Sequence, residues 1–313
     1  MVGSPGLAFE KTGISVSVGY GLLTHYYNLS NNLVPKEDYV ISTIYDYLAN
    51  YLASSKELTI HSSSAQSFGY YNLEKNEFYE DKLSLLGVKE ETLPDVTASP
   101  KKLGTFKCAK VYSAIGDNQA SYMGATNGKK ALLLNFGTGA QISISSDNII
   151  KTESCEVRSY IKDDYLVVGA SICGGKAFEA LARFYQSITD EPLDTIYRKL
   201  TSIKYTNTDV EFKPLFLGTR KDSNVKASVS GLTLSNFNIE NLTISLLEGM
   251  VDELYSFYQD MKDIPFECII GSGNGIRKNK LLAQIVEKKF NQKVLINEIE
   301  EEAAYGATLY FRR

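Results

Sequence analysis

Three segments in the second half of the chain share one pattern, an apolar run that ends in a glycine-rich turn. They are KALLLNFGTGAQISIS at 130–145, YLVVGASICGGKAFEALARFYQSI at 165–188 and FECIIGSGNGIRKNKLLAQIVEKKF at 266–290. The first reads as a hairpin, because Ile142 and Ile144 alternate with polar neighbours after the Gly-Thr-Gly turn. The other two read as strand, turn, helix. A long amphipathic helix over 242–261 lies between them, and a short strand and helix over 292–311 follow. Strands that alternate with helices predict an α/β fold with helices packed on a sheet.

The first half is less regular. Residues 37–53 predict one amphipathic helix, with Val40, Ile44, Tyr47, Leu48 and Leu52 on its apolar face. Residues 57–73 read as extended, 79–87 as a short helix closed by Gly87, and 91–106 as a polar connector with two prolines. A domain boundary is therefore placed near residue 110. At 313 residues the chain is long enough for two cores.

Charge and cysteine content narrow the function. A net charge of −4, with acidic and basic residues mixed along the chain, gives no footprint for nucleic acid or an anionic membrane. Small-molecule partners are expected instead. Cys108, Cys155, Cys173 and Cys268 lie far apart and the histidines are His25 and His61, an inventory that suits neither zinc nor a Cys/His nucleophile pair. They read as reduced thiols of a cytoplasmic protein. No apolar run reaches the roughly 18 residues of a membrane span, and no signal-peptide pattern is expected at the start.

Glycine permits positive φ and brings backbone N–H groups close to a ligand. A helix that starts just after such a turn adds a site for an anion. Gly137-Thr138-Gly139, Gly174-Gly175 and the Gly271–Gly275 turn together suggest a nucleotide held by main chain. Each also has a structural explanation, as a tight hairpin or as close strand-to-helix packing. None matches the phosphate loop or the dinucleotide fingerprint, since Ile276 stands where the last glycine of the fingerprint belongs. Asp117 follows the apolar run Val111–Ile115 and is joined by Asn118 and Gln119. It suits a helix cap that accepts from Gln119 or Ala120, and equally a general base at a strand end. His25 and His61 read as ordinary polar residues.

The order of these motifs is more specific than any one of them. Gly116–Ala120, Asn135–Gly139, Gly174–Lys176, Leu247-Glu248-Gly249, Gly271–Gly275 and Glu302–Ala307 follow one another. Over residues 110–313 this succession resembles the C-terminal domain of FGGY-type carbohydrate kinases, and most of all their sedoheptulokinase-type members. The resemblance implies the actin-like ATPase fold, two ribonuclease H-like α/β domains with ATP and sugar meeting in the cleft between them. It assigns 1–109 to a remnant of the N-terminal sugar-kinase domain and 110–313 to the C-terminal one. By motif, Asp117 is the base that deprotonates a sugar hydroxyl and Asn118 hydrogen-bonds the sugar. Gly137, Thr138 and Gly139 meet the ATP phosphates, and Gly175, Gly273, Gly275 and Asn279 contact or neighbour the nucleotide. Asp117, Thr138 and the bend near Gly275 are thus expected around one crevice. The implied substrates are ATP with Mg2+ and a ketose or related sugar.

The front of the chain departs from the family. Relatives open with an Asp-x-Gly-Thr/Ser hairpin that forms the first phosphate site, and nothing in residues 1–109 matches it. The resemblance therefore implies a fragment or a shortened gene product. Apolar surface left where strands should pair invites association, with a homodimer as the expected partner state. Two functions follow: a sugar kinase with Asp117 as base, or a catalytically idle nucleotide- or sugar-binding relic with a regulatory role.

Overall fold

The computed structural model describes residues 3–220 and 222–311; the remaining ends of the spans 1–109 and 110–313, and Lys221, lie outside the described residues. In chain order the front carries α1 (Pro5–Thr12), α2 (Gly21–Ser30), α3 (Ile44–Ala53), β1 (Thr59–His61), α4 (Ser62–Phe68), β2 (Tyr71–Asn72), β3 (Glu77–Phe78), α5 (Glu80–Leu85), β4 (Asp95–Thr97), β5 (Lys102–Phe106) and β6 (Ala109–Tyr112). The back carries α6 (Asp117–Thr126), β7 (Ala131–Phe136), β8 (Ala140–Ser146), β9 (Glu156–Ser159), β10 (Tyr165–Ser171), α7 (Gly175–Thr189), α8 (Leu193–Thr201), β11 (Glu211–Lys213), β12 (Ser228–Ser230), α9 (Ile239–Met261), β13 (Cys268–Ser272), α10 (Asn274–Arg277), α11 (Lys280–Phe290), β14 (Val294–Ile296) and α12 (Glu302–Tyr310).

The back is organised by one six-stranded sheet in the order β14-β13-β7-β8-β10-β9. β7 pairs parallel with β13 and antiparallel with β8, so the ends of β7 and β13 lie side by side. Strand side chains alternate between faces. Leu132, Leu134, Phe136, Ile142, Ile144 and Val167 face a core built with α7, α8, α9 and α11. Leu133, Leu166, Val168 and Ile270 face the opposite core, built with α6 and α12. β7 therefore reads as a continuous apolar run because helices cover both of its faces.

Two of these helices touch through backbone. A Cβ added at Gly124 of α6 would lie 1.9 Å from the Glu302 carbonyl oxygen, and one at Gly306 of α12 would lie 1.8 Å from that of Ala120. Glycine at both positions lets the helices cross with no side chain between them.

The front has its own buried cluster, which includes Leu22, Tyr26, Ile60, Phe68, Phe78 and Leu83. Among the described residues its strands form two-stranded pieces, β1 with β4, β2 with β3 and β5 with β6. The 91–106 stretch expected as a connector holds β4 and β5, and the 57–73 stretch expected as extended holds α4. Ser62, Ser63 and Ser64 enter a helix because the His61 side chain caps it, accepting from the Ser63 N–H.

α3 reverses its expected polarity. The helix starts at Ile44, leaving Val40 outside it; Ile44 is 80% exposed and Leu48 53%, whereas Asp46 and Asn50 are buried. Polar pairing decides this. Asn50 donates to the Asp46 and Thr59 carbonyls and accepts from the Thr59 N–H, so the polar face docks on the end of β1.

Among the described residues no disulfide joins Cys108, Cys155, Cys173 or Cys268. Among the described residues no helix is long and apolar enough to cross a membrane.

Candidate nucleotide hollow and the Asp117 turn

The parallel ends of β7 and β13 open into a hollow of about 840 Å³. Gly137, Thr138, Gly175, Gly273, Gly275 and Asn279 all line it. Gly139 closes the same hairpin, in which Phe136 pairs with Ala140 across the three-residue turn. Asp117 and Asn118 stand outside the lining, at the start of α6. α6 packs on the sheet face opposite α7, α9 and α11, so it lies on the other side of the strands from those helices.

The glycines work mainly by letting loops press together. A Cβ at Gly175 would sit 2.6 Å from the Gly137 carbonyl, and one at Gly273 or Gly275 would crowd the Phe136 carbonyl at 2.6 and 2.7 Å. Gly273 also has a φ of 83°. Gly137 differs, since the nearest atom to its added Cβ is 3.5 Å away. The first N–H groups of α7 do not follow the expectation of an anion site. Gly175 and Lys176 donate to the Gly137 and Thr138 carbonyls at 2.9 and 3.1 Å, which staples the hairpin to the helix.

Side chains complete the walls. Asn135 donates to the Ser272 hydroxyl at 2.8 Å and ties the two strand ends together. Asn279 caps α11 by accepting from the Leu282 N–H at 3.2 Å, which leaves its amide nitrogen as the donor group. The rings of Phe178 and Tyr197 meet at 5.9 Å with a tilt of 32°, and with Leu247, Met250 and Leu282 they give one wall an apolar character. Glu302 accepts from Arg277 at 2.8 Å and from Asn297 at 2.7 Å. Burial pushes its carboxyl above the usual range despite these partners.

Tyr197, Arg198 and Met250 were not foreseeable from local sequence, because α8 and α9 reach the hollow through ordinary amphipathic faces. Lys176 and Glu302 lie inside the Gly174–Lys176 and Glu302–Ala307 motifs, which gave each of them a local signal.

The Asp117 turn is built differently. Gly116, not Asp117, is the cap residue of α6, and the capping contact expected for Asp117 with Gln119 or Ala120 is replaced by a backbone bond from Ala120 to the Gly116 carbonyl. The exposed Asp117 carboxylate accepts from its neighbour Asn118 through the N–H at 2.7 Å and the side-chain amide at 3.1 Å. Burial chiefly raises the phenol of Tyr45 in α3, with the Asp46 charge adding to it and the Asp117 charge adding least.

Among the described residues no group of three or more His, Cys, Asp and Glu side chains converges to hold a metal ion.

Residues 132–310 match the FGGY family of carbohydrate kinases, C-terminal domain. The chain is 26% identical over 321 residues to the sedoheptulokinase of Mus musculus, covering 95% of this chain and 67% of that protein. It is 25% identical over 328 residues to the sedoheptulokinase of Homo sapiens, covering 97% and 68%. In three dimensions it resembles the xylulose kinase from Rhodospirillum rubrum with a TM-score of 0.84 and 19% identity, over 99% of this chain and 66% of that one. The chain thus spans about two thirds of the length of the relatives it matches.

Proposed function

The chain belongs to the FGGY family of carbohydrate kinases and has their actin-like ATPase fold, and on that premise we propose that it transfers the γ-phosphoryl group of ATP to a hydroxyl of a ketose or related sugar. One observation carries this reading: Thr138, Gly175, Gly275 and Asn279, distant in sequence, line one hollow at the parallel strand ends. Its volume lies within the range of small-molecule sites. The apolar wall at Phe178 and Tyr197 suits a base, and the hairpin at Gly137 and Thr138 suits the phosphates. Asp117 is proposed to take the proton from the sugar hydroxyl, with Asn118 orienting that sugar. A sedoheptulose-like acceptor and a cytoplasmic setting complete the proposal, as does the division of the chain into 1–109 and 110–313.

Mg2+ commonly binds through one or two carboxylates plus substrate phosphates. The described residues offer no ready-made cage for it, so it fits here as a companion of the ATP phosphates, whose charge it neutralises.

A second reading, nucleotide binding without transfer, is favoured by the exposed Asp117 standing outside the hollow. ATP consumption across a panel of ketoses separates the two. The kinase reading expects sugar-dependent turnover that falls roughly 10²–10⁴-fold in Asp117→Asn while ADP affinity is kept. An Asp117→Asn protein at full rate removes Asp117 from the chemistry. Tight ADP binding with no turnover on any sugar selects the second reading.

A further inference from the structure

The Asp117 turn is held from the front of the chain by a side-chain relay that neither the motifs nor the family match assigns. The Gly116 N–H donates to the Ser63 hydroxyl at 2.9 Å. That hydroxyl lies 2.8 Å from His61 Nδ1, and His61 Nε2 lies 3.3 Å from the Ala98 carbonyl. A carbonyl only accepts, so Nε2 carries the hydrogen and Nδ1 is the bare acceptor. Ser63 therefore donates to His61 and keeps its lone pairs for Gly116. Burial lowers the His61 pKa to about 4, so the ring stays neutral near pH 7 and the direction of the relay is fixed. The ring is also packed edge-on to Tyr310 at 5.5 Å, and the Tyr310 hydroxyl meets Ser113 at 3.3 Å.

A second tether starts one turn further along the same helix. Gln66 donates to the Val157 carbonyl at 2.9 Å and accepts from the Ser159 N–H at 2.8 Å, acting on β9 as a neighbouring strand would. The Ser159 carbonyl in turn accepts from Gln119 of α6 at 2.7 Å. Gly116 has no room for a side chain between these anchors, since an added Cβ would lie 2.5 Å from Gln119 Oε1 and 3.3 Å from Ser63 Oγ.

We propose that α4 is a positioning element for the Asp117 turn, with His61 and Ser63 holding the Gly116 amide and Gln66 holding the strand on which Gln119 anchors α6. The inference rests on the reading of Asp117 as the base. Asp117 is exposed and partnered by its own neighbour, so the backbone at 116–117 sets where its carboxylate points. A displacement of about 1 Å at such a point costs on the order of 10²-fold in rate.

Amide hydrogen exchange on the full chain tests this whether or not the chain turns over sugar. In the wild type the Gly116 amide is expected to be protected; exchange there at the free-peptide rate overturns the inference without any variant. Ser63→Ala is expected to speed exchange in 113–120 at least tenfold, with 131–146 and ADP affinity unchanged, and Ser63→Thr to restore the wild-type pattern. Faster exchange spread evenly over the chain, or none in 113–120, overturns the inference. In turnover, Ser63→Ala is expected to lower kcat at least tenfold with KM for ATP unchanged. If Asp117→Asn keeps the wild-type rate while the exchange result holds, the base assignment fails and the tether stands.

Discussion

The hollow and the start of α6 are associated with opposite faces of one sheet and are made of opposite materials. The hollow is main chain pressed on main chain, where Gly175, Gly273 and Gly275 admit no Cβ. The Asp117 turn hangs on individual polar side chains, Ser63 and Gln119, one of which comes from the other half of the chain. A site of the first kind tolerates changed side chains and fails when a methyl group is added. A site of the second kind fails when one hydroxyl or amide is removed.

The sharpest way to break this contrast is Gly273→Ala. It forces a left-handed φ on alanine and a 2.6 Å contact with the Phe136 carbonyl, and is expected to cost about 2–4 kcal/mol of stability together with much of the ADP affinity. Chemical denaturation and calorimetry measure both; a neutral result would show that the loop shifts freely and that the hollow is not a rigid main-chain site.

The second test uses acid. Burial lowers His61 to about 4 and raises Asp46 to about 6. Stability from His61 is present above pH 6.5 and lost as pH falls through about 4, because the unfolded chain takes up the proton first. Stability from Asp46 is present below pH 3.8 and lost as pH rises through about 6, because the folded chain holds the proton longer. The two oppose each other between pH 4 and 6. Relative to wild type, Asp46→Asn is expected to lose stability on acidification from pH 6.5 to 4, and His61→Gln to gain it from pH 6 to 4. Each change is on the order of 2–3 kcal/mol. Urea midpoints across that range check the signs, and equal slopes in all three proteins would deny that the front depends on buried titratable groups.

The smallest effect is expected on the outer face of α3. Tyr47→Ser and Leu48→Ser change exposed side chains and are expected to alter stability by less than about 0.5 kcal/mol. A larger loss that grows with protein concentration would show a second copy covering that face.

The same contrast explains what was legible in the chain. The sheet, the hairpin and the strand-turn-helix units are local patterns, since apolar runs buried on both faces and glycines at crowded turns leave their mark on neighbouring residues. The hollow was legible for that reason, as the turns carrying Thr138, Gly175 and Gly275 end adjacent strands. The front was not. α3 shows a good apolar stripe, yet it buries Asp46 and Asn50, because bonds to Thr59 across the chain outweigh periodicity. The serines of α4 favour non-helical backbone unless something caps them. His61 does so, and its role was invisible because Gly116 lies 55 positions further on.

The crossing of α6 and α12 has a mechanical consequence. Side chains between packed helices act as springs that take up small shifts, and at Gly124 and Gly306 no spring exists. α12 starts with Glu302 in the wall of the hollow, and α6 starts with Asp117. The two helices are therefore keyed together at that crossing, and a shift of one passes to the other with no side chain in between to absorb it.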